Sequence, residues 1–447
     1  MAVKVAKIFQ SGMVLQREMP VRVWGYGKPD EKIKVSIQGE CAETLVEADG
    51  RWSLELPPLA ESSRETMVIV CETDQMELKD IAVGEVFVAA GQSNMEFWLK
   101  YEKHYQEILP SYENQNIRFY DMPKLAYDGQ EKDFDYHKVG IWRKASKENL
   151  AYFSAVGFYF AKKLEKDLSV PIGIIGCNWG GTKSLAWMRE DHAREIQKEQ
   201  TEDFEIKLNG RNYGEFCRTC GNNPMNDTGN STWNPFNEFI LPQTPSMDEI
   251  MDFLRSDQKM GSVMEAAKPQ DAPGMLYRHM VQRLAPYTVR AILWYQGESD
   301  DEIDGTQKNY KKALDTIKRD WRDAWENPAL PFFIVQLPGF YSWFGCDILA
   351  DAPRLAGIKR EGRKLTLIFE NAEGGLFVEG DKVEAFSVTS GEDEIAYTEM
   401  IAGETIILNL PSDRYDRLTV QFACDGWYRV NLYNQAGIPA IPFKRTC

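Results

Sequence analysis

A serine whose hydroxyl could act as a nucleophile lies in the stretch GQSNM, residues 91–95. Residues 86–90, which precede it, are apolar and bounded by glycine and polar residues, so they predict a short buried strand. Gly91 permits a tight turn, and a serine at a strand-to-turn corner can use nearby backbone N–H groups to stabilise an oxyanion. The same residues also fit an ordinary turn before a helix, with Ser93 or Asn94 as the N-cap.

Two later stretches have the same form, an apolar run that breaks into glycine and polar residues. The first is PIGIIGCNWGGT at residues 171–182, and the second is VRAILWYQGES at residues 289–299. Ligands bind beside the carboxyl ends of the strands in open α/β sheets. Three strands that each end in glycine and polar residues, here called the strand tips, therefore predict one edge of a parallel sheet that carries a site.

Taken together, GQSNM, GGT and WYQGE resemble the sialate O-acetylesterase-like branch of the SGNH hydrolases, which also includes carbohydrate acetyl xylan esterases. The resemblance covers nearly the whole chain, and the three motifs occur in the family's order. It implies an α/β fold, with a flavodoxin-like parallel three-layer sheet domain of SGNH-hydrolase type flanked by N- and C-terminal β-sandwich-type regions. It also implies a serine-dependent carbohydrate O-acetylesterase that works through an acyl-serine intermediate.

The resemblance assigns roles to individual residues at the three tips. Ser93 would be the nucleophile, and its own N–H would be one oxyanion donor. The other donors would be the backbone N–H of Gly181, in preference to Gly180, and the side chain of Gln296, whose amide donates without changing its charge. Glu298 would either hold the Ser93 or Gln296 loop by a hydrogen bond or be a solvated loop carboxylate.

The substrate implied by the family is an acetylated carbohydrate, and we expect neither a metal nor another cofactor. The lone Cys-x-x-Cys at residues 217–220 has no second pair and no nearby histidine, so it does not indicate a zinc site. Four side chains beside the predicted catalytic residues are expected to contact the substrate: Gln92, Asn94, Trp179 and Thr182.

The base that would accept the Ser93 proton is missing from its family position. The family places a histidine, in an Asp-x-x-His segment, between the strand that matches residues 332–337 and the C-terminal β region, yet no histidine follows His279. The sequence in hand could lack that segment near residues 347–352, which we favour because losing a strand and its helix would destabilise the fold. Alternatively, the protein is a catalytically silent carbohydrate-binding protein, or another histidine substitutes. The candidates are His104, His137, His192 and His279.

Composition excludes several classes of partner. The net charge of −16 argues against nucleic acid and anionic membranes. No apolar segment reaches the length of a membrane span, and residues 1–7 lack the apolar core of a signal peptide. We therefore expect a cytoplasmic protein, unless a signal has been removed; the sequence assigns no oligomeric state.

The length of 447 residues indicates two to three domains. Residues 1–80 alternate with period two and predict an N-terminal β-sandwich domain. Residues 81–350 predict the α/β domain, with helices over residues 153–168 and 310–327 and an insertion around 189–275 that caps the site. Residues 351–447 predict a C-terminal β domain.

Overall fold

The chain forms two compact units, Met1–Leu337 and Pro338–Cys447. A computed structural model describes residues 3–108, 112–130, 140–147, 149–219, 268–300, 307–337, 352–372, 374–391, 393–424, 430–435 and 438–447. Within the described part of the chain, no helix is long and apolar enough to cross a membrane.

The first unit combines antiparallel and parallel strands with helices. Its strands are β1 (Lys4–Val5), β2 (Val14–Gln16), β3 (Val21–Tyr26), β4 (Lys32–Ile37), β5 (Glu40–Leu45), β6 (Arg51–Leu56), β7 (Ser62–Val70), β8 (Gln75–Gly91), β9 (Asn114–Asp121), β10 (Trp142–Ala145), β11 (Ile172–Asn178), β12 (Ala291–Tyr295) and β13 (Phe332–Ile334). Its α-helices are α1 (Ser93–Glu96), α2 (Tyr105–Ile108), α3 (Ala155–Leu168), α4 (Glu190–Ile196), α5 (Lys198–Leu208), α6 (Tyr213–Thr219), α7 (Gln282–Leu284) and α8 (Gln307–Ala324).

Strand β8 lies at the centre of the sheet that carries the three predicted tips. It pairs in parallel with β11 on one side and with β12 on the other. The register places Asn178 opposite Gly91 on one side and Tyr295 opposite Gly91 on the other. The three strands therefore end at the same level, which confirms the predicted common edge.

Alternate residues of β8 face two separate apolar cores, as its continuous apolar sequence predicts. Val88 belongs to a core that includes Ile317 and Trp321 of α8. Phe87 belongs to a core that includes Phe158 of α3. The parallel sheet thus carries a helix on each face. This architecture confirms the mixed α/β prediction.

The two long helices confirm the predictions made from apolar spacing. Helix α3 begins after Ser154, whose hydroxyl caps it by accepting the N–H of Gly157 at 3.1 Å. Helix α8 begins three residues before its predicted start and ends three residues before its predicted end. Both helices pack apolar side chains against a core, although Leu168 at the end of α3 is 43% exposed.

The N-terminal strands continue directly into the parallel sheet. Strand β7 pairs antiparallel with β8, and β8 runs on without interruption to the site. The predicted domain boundary at residue 80 therefore lies inside a strand, and the three-domain division remains a proposal. The described part of the predicted insertion forms α4, α5 and α6, while residues 220–267 lie outside the described residues.

The second unit is built from antiparallel strands. They are β14 (Arg354–Glu361), β15 (Lys364–Glu370), β16 (Leu376–Val378), β17 (Phe386–Ser390), β18 (Asp393–Glu394), β19 (Thr398–Ala402), β20 (Thr405–Asn409), β21 (Thr419–Phe422), β22 (Leu432–Asn434) and β23 (Phe443–Thr446). They form sheets in the orders β14-β15-β20-β19, β18-β17-β21-β23 and β16-β22. Residues such as Leu367 and Val420 fill a shared apolar core. The sequence correctly predicts β structure here.

Candidate active site

Ser93 is placed at the site by an abrupt turn at the end of β8. The strand ends at Gly91, which has φ +137°, and α1 begins two residues later at Ser93. A β-carbon at Gly91 would overlap the carbonyl oxygen of Tyr295, so this turn requires glycine. Ser93 itself is exposed, whereas its neighbour Gln92 is buried. The turn therefore presents the serine at the surface of the common edge.

Gln92 joins the tips of β8 and β12. Its N–H donates to the carbonyl of Tyr295 at 3.1 Å. Its side-chain amide donates to the Ser299 hydroxyl at 3.2 Å, and its carboxamide oxygen accepts the N–H of Gly297 at 3.3 Å. These contacts give Gln92 a supporting role in the serine turn. Its predicted contact with substrate remains a prediction.

Asn94 and Glu298 link the serine turn to the Gln-Gly-Glu loop. The Asn94 amide donates to one carboxylate oxygen of Glu298. The other oxygen, Oε2, is buried and has no hydrogen-bond partner among the described residues. Because burial disfavours the charged form, it raises the pKa of Glu298. The structure thus favours the positioning role for Glu298 over a solvated carboxylate.

The Gly-Gly-Thr loop packs directly against the serine. A β-carbon at Gly180 would lie 3.5 Å from Ser93 Cβ. The N–H of Gly180 donates to Glu96 Oε2 at 2.6 Å, and Lys124 pairs with the other oxygen of Glu96. This N–H is therefore already used, which agrees with the preference for Gly181 as the oxyanion donor. The role of Glu96 is missed at the sequence level, although it lies only three residues after Ser93.

Thr182, the last residue of this loop, and Trp179, which precedes it, are both buried. The Thr182 hydroxyl donates to the carbonyl of Trp179 at 2.7 Å and accepts the indole N–H of Trp187 at 2.9 Å. The N–H of Trp179 donates to the carbonyl of Gly91 at 3.0 Å. Thr182 is 0% exposed and Trp179 is 3% exposed. The hydrogen bonds of both residues hold the loop in its conformation. Their contact with substrate remains a prediction.

The side-chain amide of Gln296 already donates hydrogen bonds within the protein. Its side-chain nitrogen donates to the carbonyl of Thr182 at 3.0 Å and to Asp300 Oδ2 at 2.6 Å. An amide nitrogen has two hydrogens, so these two contacts use both. In this structure Gln296 holds the Gly-Gly-Thr loop in place, and its role as an oxyanion donor remains a prediction.

Asp300 is a buried acceptor that joins the Gly-Gly-Thr and Gln-Gly-Glu loops, and the sequence did not predict its role. Its oxygens accept the N–H of Ser184 at 2.9 Å and the Ser184 hydroxyl at 2.5 Å. The side-chain nitrogens of Gln197 and Gln200 each lie 3.2 Å from Oδ1. Burial raises the pKa of Asp300. Its place two residues after Glu298 is the only signal for it in the sequence.

Comparison with known proteins identifies the family. Residues 83–208 and 259–355, two segments that contain all three strand tips, match the family described as "Carbohydrate esterase, sialic acid-specific acetylesterase". The chain belongs to this family. The resemblance predicted from the three motifs is thereby confirmed.

Relatives in this family are similar to the protein over three quarters of its chain. Sialate O-acetylesterase of Homo sapiens is 23% identical over 366 residues, which cover 75% of this chain and 57% of the human protein. The Mus musculus enzyme is 24% identical over 371 residues, which cover 75% of this chain and 60% of the mouse protein. This chain therefore spans little more than half the length of these relatives.

A solved structure extends the similarity to the fold. The crystal structure of a carbohydrate acetylesterase from Xanthomonas citri matches this acetylesterase family member with a TM-score of 0.55 at 21% identity. The match covers 99% of each chain. At this level of identity the similarity concerns the fold, which is shared over nearly the whole chain.

The histidines proposed as substitute bases differ from one another in their partners and burial. Nδ1 of His104 lies 3.1 Å from a carboxylate oxygen of Glu107, and Nδ1 of His192 lies 2.8 Å from Asp320. His279 is buried, which lowers its pKa. His137 and residues 338–351 lie outside the described residues.

No hydrogen bond joins Ser93 to a histidine in the part of the chain that the structure describes. The described residues also contain no cluster of three or more His, Cys, Asp or Glu side chains that could hold a metal ion.

Proposed function

We propose that this protein is a carbohydrate O-acetylesterase of the sialate O-acetylesterase type, which hydrolyses acetyl esters on sugar hydroxyls. One observation carries the proposal: the exposed Ser93 lies at the aligned ends of three parallel strands, against the Gly180 backbone. The family match supports the same chemistry. With it we propose an SGNH-hydrolase type of fold with two flanking β-sandwich regions.

The reaction would proceed in two steps through an acetyl-Ser93 intermediate. The Ser93 oxygen attacks the acetyl carbonyl, the carbon–oxygen bond to the sugar breaks, and the sugar hydroxyl leaves with a proton. Water then attacks the acetyl-serine, which releases acetate and restores the serine. A base must accept the serine proton in the first step. The substrate-binding side chains we propose are Gln92, Asn94, Trp179 and Thr182.

The negative charge that forms on the carbonyl oxygen needs donors that are already in place. We assign the backbone N–H groups of Ser93 and Gly181 to this role. The structure supports Gly181 because the preceding N–H, that of Gly180, already donates to Glu96. Gln296 would act by holding the carbonyl of Thr182 and thereby the loop. Rotation of its amide toward the substrate would be needed for it to donate directly.

The test is acetate release from an O-acetylated sialic acid and from 4-nitrophenyl acetate by the full chain, together with labelling by a fluorophosphonate probe. Ser93→Ala is expected to abolish both turnover and labelling. The control is Ser63→Ala, at another exposed serine, which should behave like the wild type. Turnover that survives Ser93→Ala would exclude Ser93 as the nucleophile. A folded wild type that binds the acetylated sugar without turnover or labelling would instead identify a silent carbohydrate-binding protein.

A further inference from the structure

Glu96 connects the serine helix to the loop that carries the proposed oxyanion donor. It is the last residue of α1, the helix that begins at Ser93. Its Oε2 accepts the N–H of Gly180 at 2.6 Å, across 84 residues of sequence. Its Oε1 pairs with the ammonium group of Lys124. A single carboxylate therefore joins three segments of the chain.

This carboxylate and its ammonium partner are both partly buried. The side chains of Glu96 and Lys124 are 21% and 17% exposed. Lys124 is itself held in place, because the buried Gln130 donates to its carbonyl at 3.0 Å. Gln130 also accepts the N–H of Ala126 at 2.7 Å. Charge-assisted hydrogen bonds in such surroundings are stronger than those at an open surface.

The loop held by Glu96 lies in contact with the nucleophile. A β-carbon at Gly180 would lie 3.2 Å from Glu96 Oε2, 3.5 Å from Ser93 Cβ and 3.6 Å from Ser93 Cα. A β-carbon there would be tight against the Glu96 carboxylate and in ordinary van der Waals contact with Ser93, so the loop backbone lies beside both residues. The next residue, Gly181, has φ +69°. Peptide planes are rigid, so only two backbone dihedrals separate the anchored N–H of Gly180 from that of Gly181.

We infer that Glu96 is a positioning residue of the proposed esterase, and that with Lys124 as its counter-charge it holds the Gly180–Gly181 backbone over Ser93. The inference rests on the proposed function. Glu96 acts through the loop and does not touch the substrate. Its effect is on the direction of the Gly181 N–H, which matters most when negative charge forms on the substrate oxygen.

Variants at Glu96 separate this role from a merely structural one. Glu96→Ala removes the acceptor and is expected to lower kcat for 4-nitrophenyl acetate about 10- to 100-fold, with KM changed less than about threefold. Glu96→Gln keeps an acceptor oxygen for the Gly180 N–H, so it should recover most of the lost kcat. The matched control is Glu113→Ala, at an exposed glutamate, which should leave kcat unchanged.

Lys124→Met tests the counter-charge. It leaves the Glu96 carboxylate hydrogen-bonded to Gly180 and should lower kcat by an intermediate factor. Thermal unfolding of every variant, and the rate of fluorophosphonate labelling of folded protein, show whether a loss of kcat comes from misfolding. A variant that is folded and labels slowly supports the inference.

Two results would overturn the inference alone. One is an active wild type with a Glu96→Ala variant of normal kcat, and the other is a Glu96→Gln variant no better than Glu96→Ala. A wild type that neither releases acetate nor labels at Ser93 overturns the proposed function itself, and the inference falls with it. The wild-type measurement therefore distinguishes the two failures.

Discussion

The side-chain amide of Gln296 donates a hydrogen bond to Asp300, with 2.6 Å between Nε2 and Oδ2. The same carboxylate accepts the N–H and the hydroxyl of Ser184, which follows the Gly-Gly-Thr motif. Asp300 therefore holds two of the three strand-tip loops together. Gln197 and Gln200 extend this contact to the end of α4 and to α5. The conformation of the proposed oxyanion loop is thus held by the buried Asp300 carboxylate, through its hydrogen bonds to Ser184.

Asp300→Asn is expected to destabilise the protein strongly. The substitution replaces an acceptor oxygen by an NH₂ group, so donors such as the Ser184 N–H lose their partner in a buried site. We expect a loss of about 2–4 kcal/mol in the free energy of unfolding, measured by urea denaturation. Asp323→Asn, at an exposed position of the neighbouring α8, is the control and should change stability by less than about 0.5 kcal/mol. Equal effects of the two substitutions would contradict the central role of Asp300.

Gly91→Ala should prevent the serine turn from forming. Its β-carbon would overlap the Tyr295 carbonyl of the paired strand β12, so we expect a loss of more than about 4 kcal/mol. Gly39→Ala is a matched control. Gly39 also has a positive φ, +81°, but has open space around it, so the cost there is about 1 kcal/mol. Thermal unfolding measures both, and a mild effect at Gly91 would refute the proposed close approach of β8 and β12.

Thr182→Val tests whether the Thr182 hydroxyl supports the loop or binds substrate. The variant removes the partner of both the Trp179 carbonyl and the Trp187 indole, so we expect a loss of about 1–3 kcal/mol in stability. Thr182→Ser keeps the hydroxyl and should retain the wild-type KM and most of the stability. The measurements are chemical denaturation and KM for an acetylated sugar. A rise in KM without loss of stability in Thr182→Val would favour the substrate contact.

Asp121, at the end of β9, should make stability depend on pH. Burial raises its pKa to about 7 in the folded protein, against 3.8 in a model carboxyl. The folded state therefore binds more protons than the unfolded state between these values, and this contribution to stability is lost as pH rises from about 4 to about 7. Asp121→Asn stays uncharged and should raise Tm by about 2–5 °C at pH 8 but not at pH 4.

The matched control for this prediction is Asp74→Asn, at an exposed aspartate before β8. It should show the same Tm difference from the wild type at both pH values. A Tm gain for Asp121→Asn that is equal at pH 4 and pH 8 would show that its carboxyl does not titrate as the burial implies.

The sequence by itself determined the framework of the site. Three apolar runs that each end in glycine and polar residues predict buried parallel strands with a common edge, and β8, β11 and β12 end level with one another. Local chemistry suffices for this, because an apolar run bounded by glycine and polar residues, and the apolar spacing of a helix, involve residues that are close together in the sequence. The family's three motifs lie on this edge for the same reason.

The tertiary structure decided which polar groups meet at that edge. Gly180 and Glu96 are 84 residues apart, and Ser184 and Asp300 are 116 residues apart. No periodicity or spacing encodes such pairs. Whether Gln296 is free or already bonded likewise depends on acceptors that only the folded chain brings within reach. A hydrogen bond needs its two groups within about 3.5 Å of each other, and for partners so far apart in sequence that closeness exists only after the chain has folded.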